Sequence, residues 1–306
     1  MSVPLSISSG ILLKDVVELA MDWDVADRDA ARRLTIRHPP GNGLLLIAQY
    51  RERVGAKRQF GTEVETCNEF QFAATQVQSG VVNVCPRGPL GIAAIYVQPE
   101  AAVPVFGPLK DFANIKVDLL DIFQSGELER LHERLAQSEQ SSQRIAHIET
   151  FLVRNARCSS GTSVAQHAAR LLRSRPGRRL SRLAADMSIS ERHLSRVFRQ
   201  SFGISPKRFT KIARIEKVLA SRRDGLTWTE AAYACGFYDQ SHMIRDFKEI
   251  VGQSPIEFFR PSQSRTELLV GGSNLTFSIT GSERERPIGE RSADRSFRPP
   301  GNQRLA

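Results

Sequence analysis

Long apolar runs are missing from this chain of 306 residues. The richest window, Gly43 to Ala48 (GLLLIA), falls far below the roughly 18 uninterrupted apolar residues that a membrane span requires. The opening stretch MSVPLSISSGILLKDVVELAMDWD turns acidic and has no basic start before its apolar part, so it does not read as a secretory signal. Cysteine is scarce. Cys67, Cys85, Cys158 and Cys235 are scattered with no C-x-x-C pair, which removes the spacing of a zinc site or a disulfide framework. The six histidines include no H-E-x-x-H and no cluster at ligand spacing, so no metal and no cofactor is expected. Aromatic residues are only 7%, and they are not arrayed along strands as RNA-binding sheets array them. What is present is ordinary for a globular protein: 41% hydrophobic and 25% charged residues. A soluble, cytoplasmic chain without a membrane partner is the expectation, divided into two domains on a prior of about 100–200 residues each.

The net charge is +10, and its placement says more than its total. Residues 1–164 hold 17 Lys and Arg against 19 Asp and Glu, residues 165–260 hold 19 against 9, and residues 261–306 hold 7 against 5. The basic excess is concentrated in the middle block. Such asymmetry favours a polyanionic partner, nucleic acid first, with a solvated basic face as the bland alternative.

Before that block, short apolar runs at Leu44–Tyr50, Phe70–Val77, Val81–Cys85 and Leu90–Val97 are punctuated by Gly, Pro and Asn. They predict a small, mainly antiparallel, barrel-like sheet. Two helices then close it: Leu128, Leu131 and Leu135 share one helical face, and Ile145, Ile148, Phe151 and Leu152 share another, with Ser141 and Ser142 as the expected cap. The expected organisation is an α+β domain over residues 1–158, a linker at Asn155–Thr162, an all-α domain over 163–261, and a disordered tail over 262–306. Within that tail only Leu268-Leu269-Val270 and Leu275-Thr276-Phe277 are apolar.

An internal repeat lies in the basic block. SISERHLSRVFRQSFGISP, ending at Pro206, matches FYDQSHMIRDFKEIVGQSP, ending at Pro255. His193, Arg196, Phe198, Gly203 and Ser205-Pro206 correspond to His242, Arg245, Phe247, Gly252 and Ser254-Pro255 at a constant offset of 49. Each copy reads as a helix–turn–helix. In the first, Leu180, Leu183, Ala184 and Met187 form an apolar stripe, and small Ala184 permits a close crossing. Ser190 caps the second helix; Leu194, Phe198 and Phe202 face inward, and Arg192, His193, Ser195, Arg196 and Arg199 remain on other faces. In the second copy Thr227 and Asp239 are the caps and Met243 and Phe247 point inward. Gln240, Ser241, Ile244, Arg245 and Lys248 then lie outward or at the edge. A continuous helix from Pro206 to Arg222 joins the units and suits a spacing of one duplex turn, about 34 Å. Arginine grips guanine edges, Gln and Ser pair with other base edges, and Arg170, Arg175, Arg178, Arg179, Lys207, Arg208 and Lys211 suit phosphate contacts.

On LAADMSISERHLSRVFRQSFGISP and EAAYACGFYDQSHMIRDFKEIVGQSPIEFFR, the chain resembles the DNA-binding domain of the AraC/XylS family of bacterial transcription regulators. The resemblance implies a transcription regulator that binds promoter DNA through two helix–turn–helix units in successive major grooves, more often an activator than a repressor. Bases would be read by Arg192, Ser195 and Arg196 in the first unit and by Gln240, Ser241, Ile244 and Arg245 in the second. It also implies contact with RNA polymerase and a nucleoid-associated, non-enzymatic role. The first unit has Ser188 where the second has Gly236, so its turn is made without glycine. Asp246 and Glu249 make the second reading helix less basic, which predicts that the first unit supplies most of the specific affinity.

The amino-terminal segments GPLGIAAIYVQPEAAVPVFGPL and VDLLDIFQSGELERLHERLAQ are similar to an effector or dimerisation domain of such regulators, implying a small-molecule effector or a homodimer. Tyr50, Arg51 and Arg53 could line a pocket for an acid; the bland alternatives are an exposed strand edge for those arginines, carboxylate bracing for Arg196 and Arg245, and core packing for Cys235. A rival reading is an enzyme-like amino-terminal domain fused to a DNA-targeting module. Its candidate carboxylates, Glu63, Glu65 and Glu69, have no convincing catalytic spacing.

Overall fold

The computed structural model describes residues 5–7, 16–156, 163–260, 266–269 and 277–279. In chain order the strands are β1 (Leu5–Ile7), β2 (Val17–Val25), β3 (Leu34–His38), β4 (Leu44–Gln49), β5 (Ala56–Phe60) and β6 (Glu63–Cys67). They continue as β7 (Phe72–Thr75), β8 (Val81–Val84), β9 (Leu90–Val97), β10 (Lys116–Asp118), β11 (Thr266–Leu269) and β12 (Phe277–Ile279). The amino-terminal helices are α1 (Arg28–Arg32), α2 (Pro99–Phe106), α3 (Ser125–Gln137) and α4 (Ser141–Asn155).

The strands form two six-stranded sheets, ordered β1-β2-β9-β4-β7-β10 and β12-β11-β3-β8-β5-β6. This exceeds the single small sheet expected, although the pairing is antiparallel throughout except where β11 lies parallel to β3. The two central strands of the first sheet are covered on both sides, which explains their unbroken apolar sequences. In β9, Leu90, Ile92, Ala94 and Tyr96 pack towards the second sheet, while Ala93, Ile95 and Val97 join the core beneath the helices. β4 divides likewise, with Leu45 and Ile47 on one side and Leu44, Leu46 and Ala48 on the other.

The pair α3 and α4 closes the outer face of the first sheet through the leucine and isoleucine stripes read from the sequence. The expected Ser141–Ser142 cap is replaced. Gln140 precedes α4 and its N–H donates to the Gln143 side chain at 3.3 Å, while the Ser141 hydroxyl donates to Asp22 at 2.6 Å. Asp22 on β2 is fully buried and also accepts from Tyr50 (2.7 Å) and Arg144 (2.8 Å). Arg144 lies over the Tyr50 ring at 4.5 Å and also binds Asp24, so Tyr50 serves this buried lock. Arg51 bonds Asp24 at 2.6 Å from a more exposed position.

The linker residues 157–162 lie outside the described residues, as does most of the segment expected to be a tail. Within that segment β11 and β12 depart from the expectation of disorder and extend the second sheet. They include Leu268, Leu269 and Phe277 of the two apolar triplets.

The remaining helices are α5 (Val164–Ser174), α6 (Leu180–Asp186), α7 (Glu191–Phe202), α8 (Pro206–Arg223), α9 (Trp228–Ala234), α10 (Gln240–Val251) and α11 (Pro255–Phe258). They share one continuous apolar core with the amino-terminal region.

Candidate nucleic-acid interface

The two repeats fold alike down to their hydrogen bonds. In the first turn the Ile189 N–H donates to the Ala184 carbonyl at 3.0 Å, and in the second Phe237 donates to Ala232 at 3.0 Å. Gly236 takes φ +75° in its turn, and Ser188 adopts the same left-handed region at φ +55°. The second helix of each unit is capped as its sequence predicts: Ser190 accepts from the His193 N–H at 3.1 Å and Asp239 from the His242 N–H at 2.6 Å. Gly203 and Gly252 end those helices in the left-handed conformation. Ser205 and Ser254 then cap the helices that begin at Pro206 and Pro255.

Leu194, Phe198 and Phe202 are buried, and Phe198 stacks near Phe202 and Phe209 with ring centres 4.7 and 5.1 Å apart. That packing fixes which face of α7 is free. Arg192, His193, Arg196 and Arg199 are exposed and Ser195 is half-buried. Arg196 donates to the His193 ring at 3.3 Å, a contact within the exposed face rather than a carboxylate brace. On α10, burial of Met243, Phe247 and Ile250 leaves Gln240, Ser241, Arg245 and Lys248 exposed and Ile244 half-buried. The predicted site residues therefore fall on corresponding faces of two equivalent helices.

Two charge expectations change. Asp246 is buried and faces Lys211 of α8 at 3.2 Å, and Glu249 binds the same lysine. These acids are engaged by the connector helix, which weakens the argument from local charge that the second unit reads poorly. Lys211 thus serves as an internal brace, because its ammonium lies between two carboxylates. Arg178 similarly pairs with Asp186, and Arg208 reaches the Gln78 carbonyl at 3.5 Å. Arg170, Arg175, Arg179 and Lys207 are exposed as phosphate binders would be. The sequence reading missed Tyr238, 92% exposed immediately before the α10 cap, and Tyr233 on α9, 84% exposed.

The sandwich contains a second candidate site. A cavity of about 70 Å³ lies between the sheets, lined largely by apolar side chains including Met21, Trp23, Ile47 and Val84. At about 30 Å³ each, that is room for about two water molecules. Trp23 Nε1 and both ring nitrogens of His38 are buried without hydrogen-bond partners at its wall. Burial lowers the His38 pKa to about 4, leaving the ring neutral at ordinary pH. Lys116 also lines the cavity, with its pKa lowered by burial. Neither Arg51 nor Arg53 lines it, while Glu63, Glu65 and Glu69 are exposed and Glu65 pairs with Arg58. Among the described residues no group of three His, Cys, Asp or Glu could hold a metal ion, and no helix is long and apolar enough to cross a membrane.

Polar contacts join the amino-terminal region to the helices. Glu216 of α8 accepts from Tyr96 at 2.9 Å and from the Asn42 backbone at 3.1 Å. Burial, reinforced by the charge of Glu18, raises its pKa to about 8. Arg173 of α5 binds Glu100 at 2.8 Å, and Arg37 of β3 donates to the Phe258 carbonyl at 2.8 Å.

Residues 183–261 match a family described as a helix-turn-helix domain. No curated protein matches the chain. Among solved structures, ToxT from Vibrio cholerae is 12% identical, covering 83% of this chain and 97% of that one with a TM-score of 0.46. An unsaturated fatty acid bound wild-type ToxT from Vibrio cholerae strain SCE256 is also 12% identical, covering 80% and 95% with a TM-score of 0.45. The AraC-like transcriptional activator CuxR is 13% identical, covering 75% and 86% with a TM-score of 0.29.

Proposed function

We propose that the chain, whose residues 183–261 match a helix-turn-helix family, is a DNA-binding transcription regulator of the AraC type that reads promoter DNA with α7 and α10 in successive major grooves. The observation that supports this reading best is the exposure of Arg196 and Arg245 at equivalent positions of a duplicated unit whose second helices are capped at corresponding residues. Arg192, His193, Ser195, Arg196 and Arg199 supply base and phosphate contacts from the first unit. Gln240, Ser241, Ile244, Arg245 and Lys248 supply them from the second. The 18-residue α8 spans about 27 Å and gives the pair a stiff connector.

Arg196→Ala is expected to weaken binding by about 1–3 kcal/mol and relax preference at one base position. The assay is a competition of duplex variants at fixed salt. An unchanged base profile removes Arg196 from the reading set.

The output is activation through contact with RNA polymerase, in the cytoplasm and on the nucleoid. Deleting the protein should lower transcription from the promoters it occupies; a rise makes it a repressor. The cavity marks a place for a small-molecule effector, whose apolar body would have to widen it and whose hydrogen-bonding group would meet the unsatisfied nitrogens of Trp23 and His38. The chain works as a homodimer, which sedimentation of the free and DNA-bound protein tests directly.

A further inference from the structure

Helix ends leave carbonyls that the helix cannot satisfy. At the ends of α7 and α10 these carbonyls meet one short loop of the amino-terminal region, residues 76–80 between β7 and β8. Gln78 Nε2 donates to the carbonyl of Phe202, the last residue of α7, at 3.3 Å. Two residues further, the Gly80 N–H donates at 3.0 Å to the carbonyl of Ile250 in the last turn of α10. The loop therefore bridges both reading helices at corresponding ends. Their capping glycines also abut amino-terminal backbone: a Cβ at Gly203 would lie 2.8 Å from Lys110 Cα, and one at Gly252 would lie 2.7 Å from the Gly61 nitrogen.

The loop is braced from the other side. Asn114 Oδ1 accepts from the N–H groups of Gln78 and Ser79 at 2.8 and 3.0 Å. Gln76 Nε2 donates to the Asn42 carbonyl at 2.6 Å, and Gln78 Nε2 also reaches Gln76 Oε1 at 2.8 Å. Gln76 and Gln78 are both buried. Apolar residues would fill that space without a desolvation cost; buried amides add direction, because each lost partner leaves an unsatisfied group. Gly80 adopts φ +76°, and a Cβ there would lie 2.6 Å from the Gln59 carbonyl oxygen, so this close approach requires glycine.

We propose that the 76–80 loop is a strut that sets the spacing of the two reading helices, with Gln78 a positioning residue for DNA recognition. The proposal rests on the two-unit reading above. It assigns the amino-terminal region a part in matching the protein to the spacing of its half-sites, besides whatever ligand that region takes. Val77, inside the loop, lines the cavity and puts the cavity wall one residue from Gln78.

The test uses the full chain and a duplex selected by it from a random pool. One base pair is inserted or removed between the half-sites, shifting one by about 3.4 Å and turning it by about 34°. The wild type should lose affinity by about tenfold or more at each changed spacing. Gln78→Ala should bind the best spacing more weakly and show a shallower penalty elsewhere. Asn114→Gly keeps the left-handed backbone at 114 and loosens the loop from the side away from the helices; it should flatten the profile too. Thermal unfolding checks that each variant folds, and Asn114→Gly decides the matter if Gln78→Ala does not. A uniform loss at every spacing, or a wild-type profile in the folded variants, overturns the strut. A wild type that binds no duplex overturns the DNA-binding reading and the strut with it; a bound wild type indifferent to spacing overturns the strut through its two-unit premise.

Discussion

Raising the pH should weaken this fold through one residue, Glu216, and replacing it with glutamine should remove that dependence. Glu18 and Glu100 lie 4.0 and 2.8 Å from Arg173, whose charge also acts on Glu216. One guanidinium cannot neutralise three carboxylates. Burial and Glu18 hold the Glu216 pKa at about 8 against an ordinary value of 4.5, so the folded chain keeps a proton that the unfolded chain releases. The linkage makes the folded state relatively stable below pH 4.5 and progressively less stable as pH rises towards 8. The interval from 4.5 to 7 corresponds to a loss of at most about 3 kcal/mol at neutral pH, rising to about 5 above pH 8. Denaturant unfolding of wild type and Glu216→Gln at steps from pH 5 to 9 isolates the effect, because the other titrating groups are shared. The stability difference should shift in favour of Gln as pH rises. Parallel pH profiles refute the reasoning, whatever their vertical offset.

His38 acts in the opposite direction: its folded pKa of about 4 lies below the ordinary 6.5, so acidification between those values should cost at most about 3 kcal/mol. Comparison of His38→Gln with wild type over that range should reveal a flatter acid limb in the variant. Asp22→Ala takes one of two carboxylates from the buried Arg144 guanidinium, which keeps Asp24, and removes the acceptor of the Tyr50 and Ser141 hydroxyls; it should cost about 1–3 kcal/mol in denaturant unfolding. Ser188→Gly relieves a left-handed serine in the first helix–turn–helix and should raise stability by up to about 1 kcal/mol, with the DNA base profile unchanged.

The carboxy-terminal fold was legible because its signals are local and occur twice. Ser190, Asp239, Gly203 and Gly252 each mark a helix boundary by cap chemistry, and the phenylalanines fix which face is left outside. The sandwich was less legible. The β5–β6 hairpin is strongly polar and its strands show little of the apolar alternation that marks a half-buried sheet. β2 breaks its apolar sequence with Asp22 and Asp24, whose partner Arg144 lies more than a hundred residues away. Separation along the chain also concealed the internal roles of Lys211 and Arg208: adjacent sequence displays a basic residue, while the carboxylate or carbonyl that holds it becomes visible only on folding. The helix-end contacts of Gln78 likewise depend on the packing of two distant regions.

The most direct measurement of the central claim is equilibrium binding of the full chain to its selected duplex across a salt series. Two arginine-bearing helices contacting about six to ten phosphates predict a steep linear fall of log affinity with log salt, with a slope of roughly −5 to −9. Sequence preference for the selected duplex over a scrambled one should persist along the series. A flat salt response, or equal affinity for both duplexes at every salt concentration, contradicts the account.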